Sequence, residues 1–366
     1  MSNIKVPFLD LRSDSNEKHN LVKCINNVLD HGQLVMGPEI REFEEKVSSF
    51  CNRKFCTAVG SGTTALVLAL KALDLQPNDE VITTSLSWIA TANAISVNNA
   101  TPVFADIDDS LNISPKSVLR LITKNTRAIL SVDYTGKMAD FSQLEQISDE
   151  YNLPLIADAS QAFGAKRNGR ISGSYGKLSA ISHNPMKVLA GIGEAGSILT
   201  DDEVLKNKLD VLRYNGTINK EYLVEPSING RMDTVQAAVL LHRLSKFGDL
   251  QKRRQENAFF YFQHLSSVSQ VQLPVIEEGE THAWYTFTIL AQKRDRLRAF
   301  LDEAGIETKI QHPILMCEQS PYQNCAHESE NALDLRNKIL CIPIHEKLTI
   351  DQLEHVVNKI KEFYDQ

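Results

Sequence analysis

Leu153–Ala165 reads LPLIADASQAFGA, an apolar run that ends in the carboxylate of Asp158 and continues into small residues. A short apolar run bounded by polar residues is typical of a buried strand. Short β-branched runs of this kind recur from about residue 55 to 200, and they alternate with amphipathic segments. This alternation predicts an α/β fold in which a parallel sheet carries helices on both faces.

Predicted strands are Glu80–Thr84, Pro102–Ile107, Ala128–Asp133, Leu153–Asp158, Leu178–Ser182 and Ser197–Thr200. Predicted helices between them are Thr63–Leu73, Ile89–Asn98, Pro115–Ile122 and Phe141–Glu150.

The C-terminal part of the chain predicts a second, smaller α+β domain. The apolar segment Met232–Phe247 predicts a helix that continues through the charged stretch LQKRRQE as a bridge. We therefore expect a large domain with an N-terminal arm over 1–248 and a small domain over 249–366. The elements expected in the small domain are strands near Trp284–Leu290 and Thr308–Gln311 and helices over Asp295–Ala304 and Ile350–Tyr364, the first capped by Asp295.

Composition excludes several classes of partner. The 366 residues have a net charge of −7 and no basic tract, so a nucleic-acid partner is not expected. No apolar run approaches the ~18 residues of a membrane helix, and MSNIKVPFLDLRSD lacks the apolar region of a signal peptide. The six cysteines form no CxxC, which predicts reduced thiols in the cytoplasm and no metal site.

Two residues near strand ends suggest a cofactor. Asp158 ends one predicted strand, and Lys187 closes the segment SHNPMK after another, just before the glycine-rich turn GIGEAG. Ligands gather at the carboxyl ends of parallel strands. A lysine amine and a carboxylate can there hold pyridoxal phosphate, the lysine as a Schiff base and the carboxylate under the pyridine nitrogen. The structural alternatives are a solvated surface lysine and an aspartate that caps a helix.

Three more positions fit such a site. GSGTTAL (Gly60–Leu66) begins a helix, where free amides and hydroxyls bind anions, although Ser61 or Thr63 as a simple N-cap explains the same residues. Gln161 lies near the turn after Asp158 and can hydrogen-bond a ring hydroxyl. Trp88, in SLSWIATANA, can stack on a flat ring or pack in the core.

Together these segments resemble the DegT/DnrJ/EryC1/StrS sugar aminotransferases, which have the aspartate aminotransferase fold (fold type I). The resemblance covers nearly the whole chain, through VPFLDLR, GPEIREFEEKVSSF, GSGTTALVLALKAL, SWIATANAI, DASQAFGA, SHNPMK, NGRMDTVQAAVL and IPIHEKLT. It implies a large domain with a mostly parallel seven-stranded sheet between helices, and a smaller α+β C-terminal domain.

The resemblance also implies cofactor roles. Lys187 would form the aldimine with pyridoxal phosphate and move the proton, and Asp158 would pair with the pyridine nitrogen. Gln161 would contact the ring hydroxyl and Trp88 the ring face. Ser160 stands where the family often has alanine.

For the cofactor phosphate, the resemblance implies contacts from Gly62, Thr63 and Ser182. Asn229, in SINGRMD, would reach across the interface of a homodimer to the partner's phosphate, so that the active sites are shared.

Substrate contacts are expected from strand ends and turns: Asp133, Tyr134, His183, Asn184, Tyr214, Asn215 and His312. Many family members have a histidine where Asp133 stands, so this position bears on the choice of sugar. For His183 the alternative is a structural hydrogen bond, and for His312 it is a loop residue without a role.

The implied reaction is a ping-pong transamination from L-glutamate or glutamine to a keto sugar. NPMKVLAGIGEAG, with Trp284 and Tyr285, differs from the commonest nucleotide-sugar members. It suggests that the acceptor is an 8-oxo form of 3-deoxy-manno-octulosonate, which would be aminated to 8-amino-3,8-dideoxy-manno-octulosonate for lipopolysaccharide. The other candidate acceptor is a nucleotide-linked keto sugar. The alternatives are a pyridoxal phosphate-dependent sugar dehydratase, in which histidine typically replaces the lysine, and a non-catalytic cofactor-binding regulatory protein.

Overall fold

The structure is a computed structural model that describes residues 5–365. Within this range the α-helices, in chain order, are α1 Ser15–His31, α2 Pro38–Phe50, α3 Gly62–Lys71, α4 Ala90–Ser96, α5 Pro115–Leu121, α6 Phe141–Tyr151, α7 Glu203–Leu212, α8 Thr234–Ser245, α9 Phe247–Leu265, α10 Arg294–Glu303, α11 Glu330–Leu335 and α12 Ile350–Tyr364. Short 3-10 helices cover Tyr134–Gly136, Met316–Glu318 and Ser320–Tyr322.

The strands are β1 Phe55–Val59, β2 Glu80–Thr84, β3 Thr101–Ala105, β4 Thr126–Val132, β5 Leu155–Asp158, β6 Lys166–Arg167, β7 Arg170–Ile171, β8 Leu178–Ser182, β9 Gly196–Thr200, β10 Thr217–Ile218, β11 Tyr222–Leu223, β12 Val271–Gln272, β13 Phe287–Ala291 and β14 Ile339–Ile342.

Seven strands form the central sheet, in the order β1–β9–β8–β5–β4–β2–β3. Strand β9 is antiparallel to both of its neighbours, and the other pairs are parallel. Most of these strands are buried along nearly their whole length, as expected when helices cover both faces of a parallel sheet. The predicted α/β fold with a mostly parallel seven-stranded sheet is therefore confirmed.

The start of helix α3 is formed by a local side-chain cap. The Ser61 side chain accepts a hydrogen bond from the Thr64 backbone N–H at 3.0 Å, and Ser61 has extended backbone angles. Of the two N-cap candidates, Ser61 is therefore the cap. Its bond leaves the first backbone amides of α3 free of side-chain partners, facing the end of the sheet.

A second core lies in the C-terminal part. It is built from α9, α10, α12, β13 and β14, and the antiparallel sheet β12–β13–β14 forms one of its layers. Val6 of the N-terminal arm packs in this second core. The sequence predicts the arm as part of the large domain. Helix α9 contributes to both cores, since Phe247 packs in the first and Tyr261 in the second. The boundary after residue 248 stays a prediction.

Several expected elements differ from the observed ones. The helix expected from Met232 onward is broken at Lys246, which separates α8 from α9. Trp284 has a φ of 52° and lies before β13, so the strand begins three residues later than Trp284. Asp295 is not an N-cap, because α10 begins at Arg294 after Lys293 in the left-handed region. The expected strand over Thr308–Gln311 is reduced to a single bridge between Lys309 and Cys341.

No helix within residues 5–365 combines the length and the apolar character that a membrane crossing requires.

Candidate active site

A cavity of about 680 Å³ lies at the carboxyl ends of the central strands. It is lined by the start of α3, the turns after β5 and β8, and a segment of the C-terminal part. The predicted site residues that line it are Gly62, Thr63, Trp88, Asp158, Gln161, Ser182, Asn184, Lys187 and His312. The fold therefore brings together side chains that are up to 250 residues apart in the sequence.

Asp158 supplies a buried negative charge to this cavity. The residue is 6% exposed, and its side chain accepts a hydrogen bond from the Ser160 backbone N–H at 3.1 Å. Burial raises the pKa of Asp158, whereas the hydrogen bond from Ser160 and the nearby charge of Lys187 lower it. A cation bound in the cavity would favour the ionised carboxylate further. The position therefore suits a protonated pyridine nitrogen.

Lys187 brings an amine to the same cavity. Its Nζ lies 4.4 Å from the ring centroid of Tyr285, and its backbone N–H donates to the Asn184 carbonyl at 2.8 Å. No carboxylate of residues 5–365 lies within 4.0 Å of this ammonium group. Because the loop is held by its own backbone bond while the amine has no ion pair, the amine is free to react with a bound carbonyl.

The start of α3 and the end of β8 form a narrow cradle. A Cβ at Gly62 would lie 2.4 Å from the Cβ of Ser182, so only glycine allows this approach. The Ser182 backbone N–H donates to Ser160 Oγ at 3.0 Å, and Ser182 Oγ accepts from the Asn184 N–H at 3.3 Å. Free amides of a helix start, together with the hydroxyl groups of Thr63 and Ser182, suit a phosphate.

The amide of Gln161 is held in one orientation. Its Oε1 accepts hydrogen bonds from the Thr135 backbone N–H at 2.9 Å and from Gln311 Nε2 at 3.1 Å. Gln311 is in turn oriented by the Cys341 thiol, whose Sγ lies 3.7 Å from Gln311 Oε1. Since both protein donors meet the oxygen, the NH₂ group of Gln161 remains as the donor toward the cavity.

Two of the predicted substrate contacts, Asp133 and His183, do not line the cavity, and both side chains bond within the large domain. Asp133 accepts from Ser172 Oγ at 2.6 Å and from the Ala139 N–H at 3.0 Å, and burial raises its pKa to about 7. His183 lies between the Leu189 carbonyl and Ser197 Oγ, and burial lowers its pKa to about 4. For His183 the structural alternative holds.

Tyr134 lies behind the cavity wall. Its hydroxyl group is 3.0 Å from Nδ1 of His312, and it is also 3.3 Å from the Gln311 carbonyl. His312 itself faces the cavity, with its ring 6.0 Å from that of Trp88. Tyr134 therefore positions His312 and does not itself line the cavity.

Tyr214, Asn215 and Asn229 do not line the cavity of their own chain. Tyr214 and Asn229 form a β-bridge, and Arg231 connects them, since its guanidinium lies 4.5 Å from the Tyr214 ring and donates to Asn229 Oδ1 at 2.8 Å. The substrate contacts of Tyr214 and Asn215 stay a prediction, and in this structure both residues lie beside Asn229 and outside the cavity of their own chain. For Asn229 this location leaves the expected contact with a partner subunit as a proposal.

Among the further residues that line the cavity are Ser160, Tyr285, Lys309 and Gln311, none of which was predicted as a site residue. Ser160 carried a signal, because a serine replaces the alanine common in the family, directly after the Asp158 turn, and Tyr285 carried one as a residue that bears on the acceptor. The other three come from the C-terminal part and reach the cavity through packing between the two cores.

Comparisons with known proteins identify the family of the chain. Residues 15–361 match the DegT/DnrJ/EryC1/StrS aminotransferase family. The chain is 34% identical over 361 residues, 98% of this chain and 99% of the relative, to the dTDP-3-amino-3,6-dideoxy-alpha-D-galactopyranose transaminase of Aneurinibacillus thermoaerophilus. It is 33% identical over 368 residues, 99% of each chain, to the pleiotropic regulatory protein of Geobacillus stearothermophilus. DesV of S. venezuelae, solved with a ketimine intermediate, has a TM-score of 0.94 and 34% identity over 99% of each chain.

The chain therefore belongs to the DegT/DnrJ/EryC1/StrS family, and it is a pyridoxal phosphate-dependent sugar aminotransferase of fold type I. The cavity fits this cofactor, because it joins a buried carboxylate, an unpaired amine and a cradle that excludes a Cβ. Within residues 5–365 no cluster of histidine, cysteine or acidic side chains is arranged to hold a metal ion.

The hydrogen-bond chain behind Gln161 generates a first prediction. Replacing Gln311 by leucine removes the donor that orients the Gln161 amide, so the amide can rotate away from the cofactor. We expect the dissociation constant of pyridoxal phosphate to rise roughly fivefold, which corresponds to the loss of about one neutral hydrogen bond. Equilibrium titration of the cofactor-free protein, followed by absorbance, measures this constant.

Cys341→Ser is the matched control, since serine keeps a donor toward Gln311 Oε1, and it should bind the cofactor as the parent protein does. If Gln311→Leu melts at the parent temperature and binds the cofactor equally well, Gln311 does not orient Gln161.

Proposed function

We propose that the enzyme transfers the amino group of L-glutamate, or of L-glutamine, to a nucleotide-linked keto sugar by a ping-pong mechanism. The observation that carries this proposal is the single cavity that Lys187, Asp158 and the α3 cradle share. When bound, pyridoxal phosphate would supply an aldehyde carbon that carries the amino group from donor to acceptor and an electron-withdrawing ring that stabilises charge on the reacting carbon. Residues of the protein are proposed to hold this cofactor and to move the protons.

Lys187 is the proposed catalytic base and acid. Its Nζ removes the proton from the α-carbon of the amino donor and later returns a proton to the carbon of the sugar that receives nitrogen. Asp158 keeps the ring nitrogen protonated through an ion pair in a buried place, where such a pair is poorly screened. Gln161 donates its NH₂ group to the ring hydroxyl, Trp88 stacks on the ring face, and Gly62, Thr63 and Ser182 hold the phosphate.

The proposed ping-pong order is supported by the shared use of Lys187. Donor and acceptor would both place the reacting carbon beside Lys187 Nζ, and both would enter the cavity that Lys187 lines. Of the predicted substrate contacts, Asn184 and His312 line this space, with Tyr134 behind His312. The donor product therefore has to leave before the keto sugar enters.

A nucleotide-linked keto sugar is the better-supported acceptor. The Aneurinibacillus relative, which spans the same length, is named for a dTDP-linked sugar. The 8-oxo-octulosonate hypothesis relied partly on Trp284, but this side chain is fully buried and stacks on His282 at 4.1 Å. Only Tyr285 of that pair reaches the cavity. We propose that the amino sugar is used for lipopolysaccharide or another surface polysaccharide, as nucleotide-linked amino sugars are.

A half-reaction separates transamination from its alternatives. The holoenzyme in D₂O should exchange the α-hydrogen of L-glutamate and release one 2-oxoglutarate per subunit, read by proton NMR. Lys187→Ala should lose both, because no other cavity side chain carries an amine next to the Asp158 turn. A dTDP-linked 3-keto sugar added afterwards should then receive one amino group per enzyme subunit.

Two results would contradict this proposal. A parent holoenzyme that releases no 2-oxo acid from glutamate or glutamine would favour the regulatory alternative, for which the name of the Geobacillus relative is the precedent. Loss of a hydroxyl group from the sugar without gain of nitrogen would favour the dehydratase.

We also propose a homodimer with shared active sites. Around Asn229 the segment 214–231 exposes apolar side chains of Ile218, Tyr222, Leu223, Val224 and Ile228, a pattern that marks protein interfaces. Asn229 precedes Gly230, whose carbonyl accepts from the Gly60 N–H at 2.9 Å beside the α3 cradle.

The six cysteines are unpaired, in line with a proposed location in the cytoplasm.

Mixed dimers test the shared site. Lys187→Ala and Asn229→Asp subunits are each co-expressed with a different affinity tag, and the mixed dimer is isolated by both tags. If Asn229 serves the partner, one of the two sites in the mixed dimer has both native residues, so about half of the parent activity per dimer should return. If Asn229 acts in its own chain, the mixed dimer has a single Asn229→Asp site and should show about half of the activity of the Asn229→Asp homodimer.

A further inference from the structure

The charges that line the cavity leave one cation without an assigned partner. The lining residues with a formal charge are Asp158, Lys187, Glu194 and Lys309. Asp158 and Lys187 face the cofactor in the proposed function, and Glu194 accepts a hydrogen bond from Asn184 Nδ2 at 2.6 Å. Lys309 has no carboxylate of residues 5–365 within 4.0 Å of its ammonium group. The role of Lys309 is therefore open.

The backbone of Lys309 is fixed although its side chain is exposed. Its N–H donates to the Cys341 carbonyl at 3.0 Å, and its carbonyl accepts from the Cys341 N–H at 2.8 Å. The nearest acidic residue in sequence, Glu307, is engaged with the backbone N–H of Phe8 at 2.9 Å. Lys309 Nζ instead lies 6.0 Å from the Phe8 ring centroid, at the far limit of a cation–π contact. Its ammonium group is thus held near the cavity without compensation.

The neighbouring His312 adds no charge of its own to this part of the cavity. Burial and then the charges of Lys187 and Lys309 lower the pKa of His312 to about 3, so the imidazole is neutral at physiological pH. Both ammonium groups therefore act on the same ring from within the cavity. An anionic ligand that enters the space beside His312 would therefore be attracted by the ammonium group of Lys309.

We propose that Lys309 is the anion-binding residue of the substrate subsite, and that it receives a phosphate or carboxylate remote from the reacting carbon. This inference rests on the proposed function, in which the reacting carbon lies beside Lys187. An ammonium group on a flexible stem binds either anion as a point charge. The anion has two sources, the diphosphate of the nucleotide-linked sugar and the side-chain carboxylate of L-glutamate.

Substitution of Lys309 tests this assignment in the holoenzyme. The dissociation constant of dTDP is measured by calorimetry, and the KM for L-glutamate is measured from the steady-state exchange of its α-hydrogen in D₂O, for the parent, Lys309→Gln and Lys309→Arg. In Lys309→Gln, either the dissociation constant of dTDP or the KM for L-glutamate should rise roughly tenfold, the ratio expected for a lost hydrogen bond to a charged group. Lys309→Arg should restore most of it, because the cation is kept. Lys252→Gln, an exposed lysine of α9 away from the cavity, is the matched control.

Each outcome is decisive. A higher dissociation constant for dTDP alone assigns Lys309 to the diphosphate of the acceptor, and a higher KM for glutamate alone assigns it to the donor carboxylate. If neither value changes in Lys309→Gln, or if Lys252→Gln changes them equally, the assignment is overturned. Failure of the proposed function is distinguishable, since it would show as a parent holoenzyme that releases no 2-oxoglutarate.

Discussion

The site depends on the pairing of strands β5 and β8 in the central sheet. In this parallel pair Asp158 is in register with Ala180, two residues before Ser182 at the end of β8. The carboxylate at the end of one strand and the loop that carries Lys187 therefore leave the sheet at the same edge, side by side. A shift of one residue in this register would turn Asp158 toward the opposite face and separate it from the amine.

Around this pair, charge and sterics restrict what the cavity can hold. A buried carboxylate without a cation is costly, and Asp158 is compensated by hydrogen bonding from Ser160 and by the charge of Lys187. Gly62 and Ser182 approach so closely that their backbones define a small anion-sized cradle. A ligand with a cationic ring at one end and a phosphate at the other meets both requirements, and this explains why a flat phosphorylated cofactor suits the fold.

The large domain and the cofactor side of the site were predictable from the sequence. Strands β2 and β8 match the predicted bounds, because both are short segments of apolar and small polar residues that are buried along nearly their whole length. The residues near Asp158 and Lys187 lie in short segments, and neighbouring residues in the sequence determine the turns that place them. Lys309 and Gln311 were not predictable, since their approach depends on how the second core packs against the first. Asp133 and His183 were predicted to contact substrate because each lies at a strand end. A polar residue there can equally bond inward, and in the structure Asp133 bonds to Ser172 and His183 to Ser197.

Reduction of the holoenzyme with borohydride, followed by peptide mass mapping, tests the central claim that Lys187 holds the cofactor. The account predicts a phosphopyridoxyl group on Nζ of Lys187, in the peptide that contains SHNPMK. Attachment to another lysine, such as Lys309 at the other side of the cavity, would contradict the account, as would a holoenzyme that carries no reducible attachment.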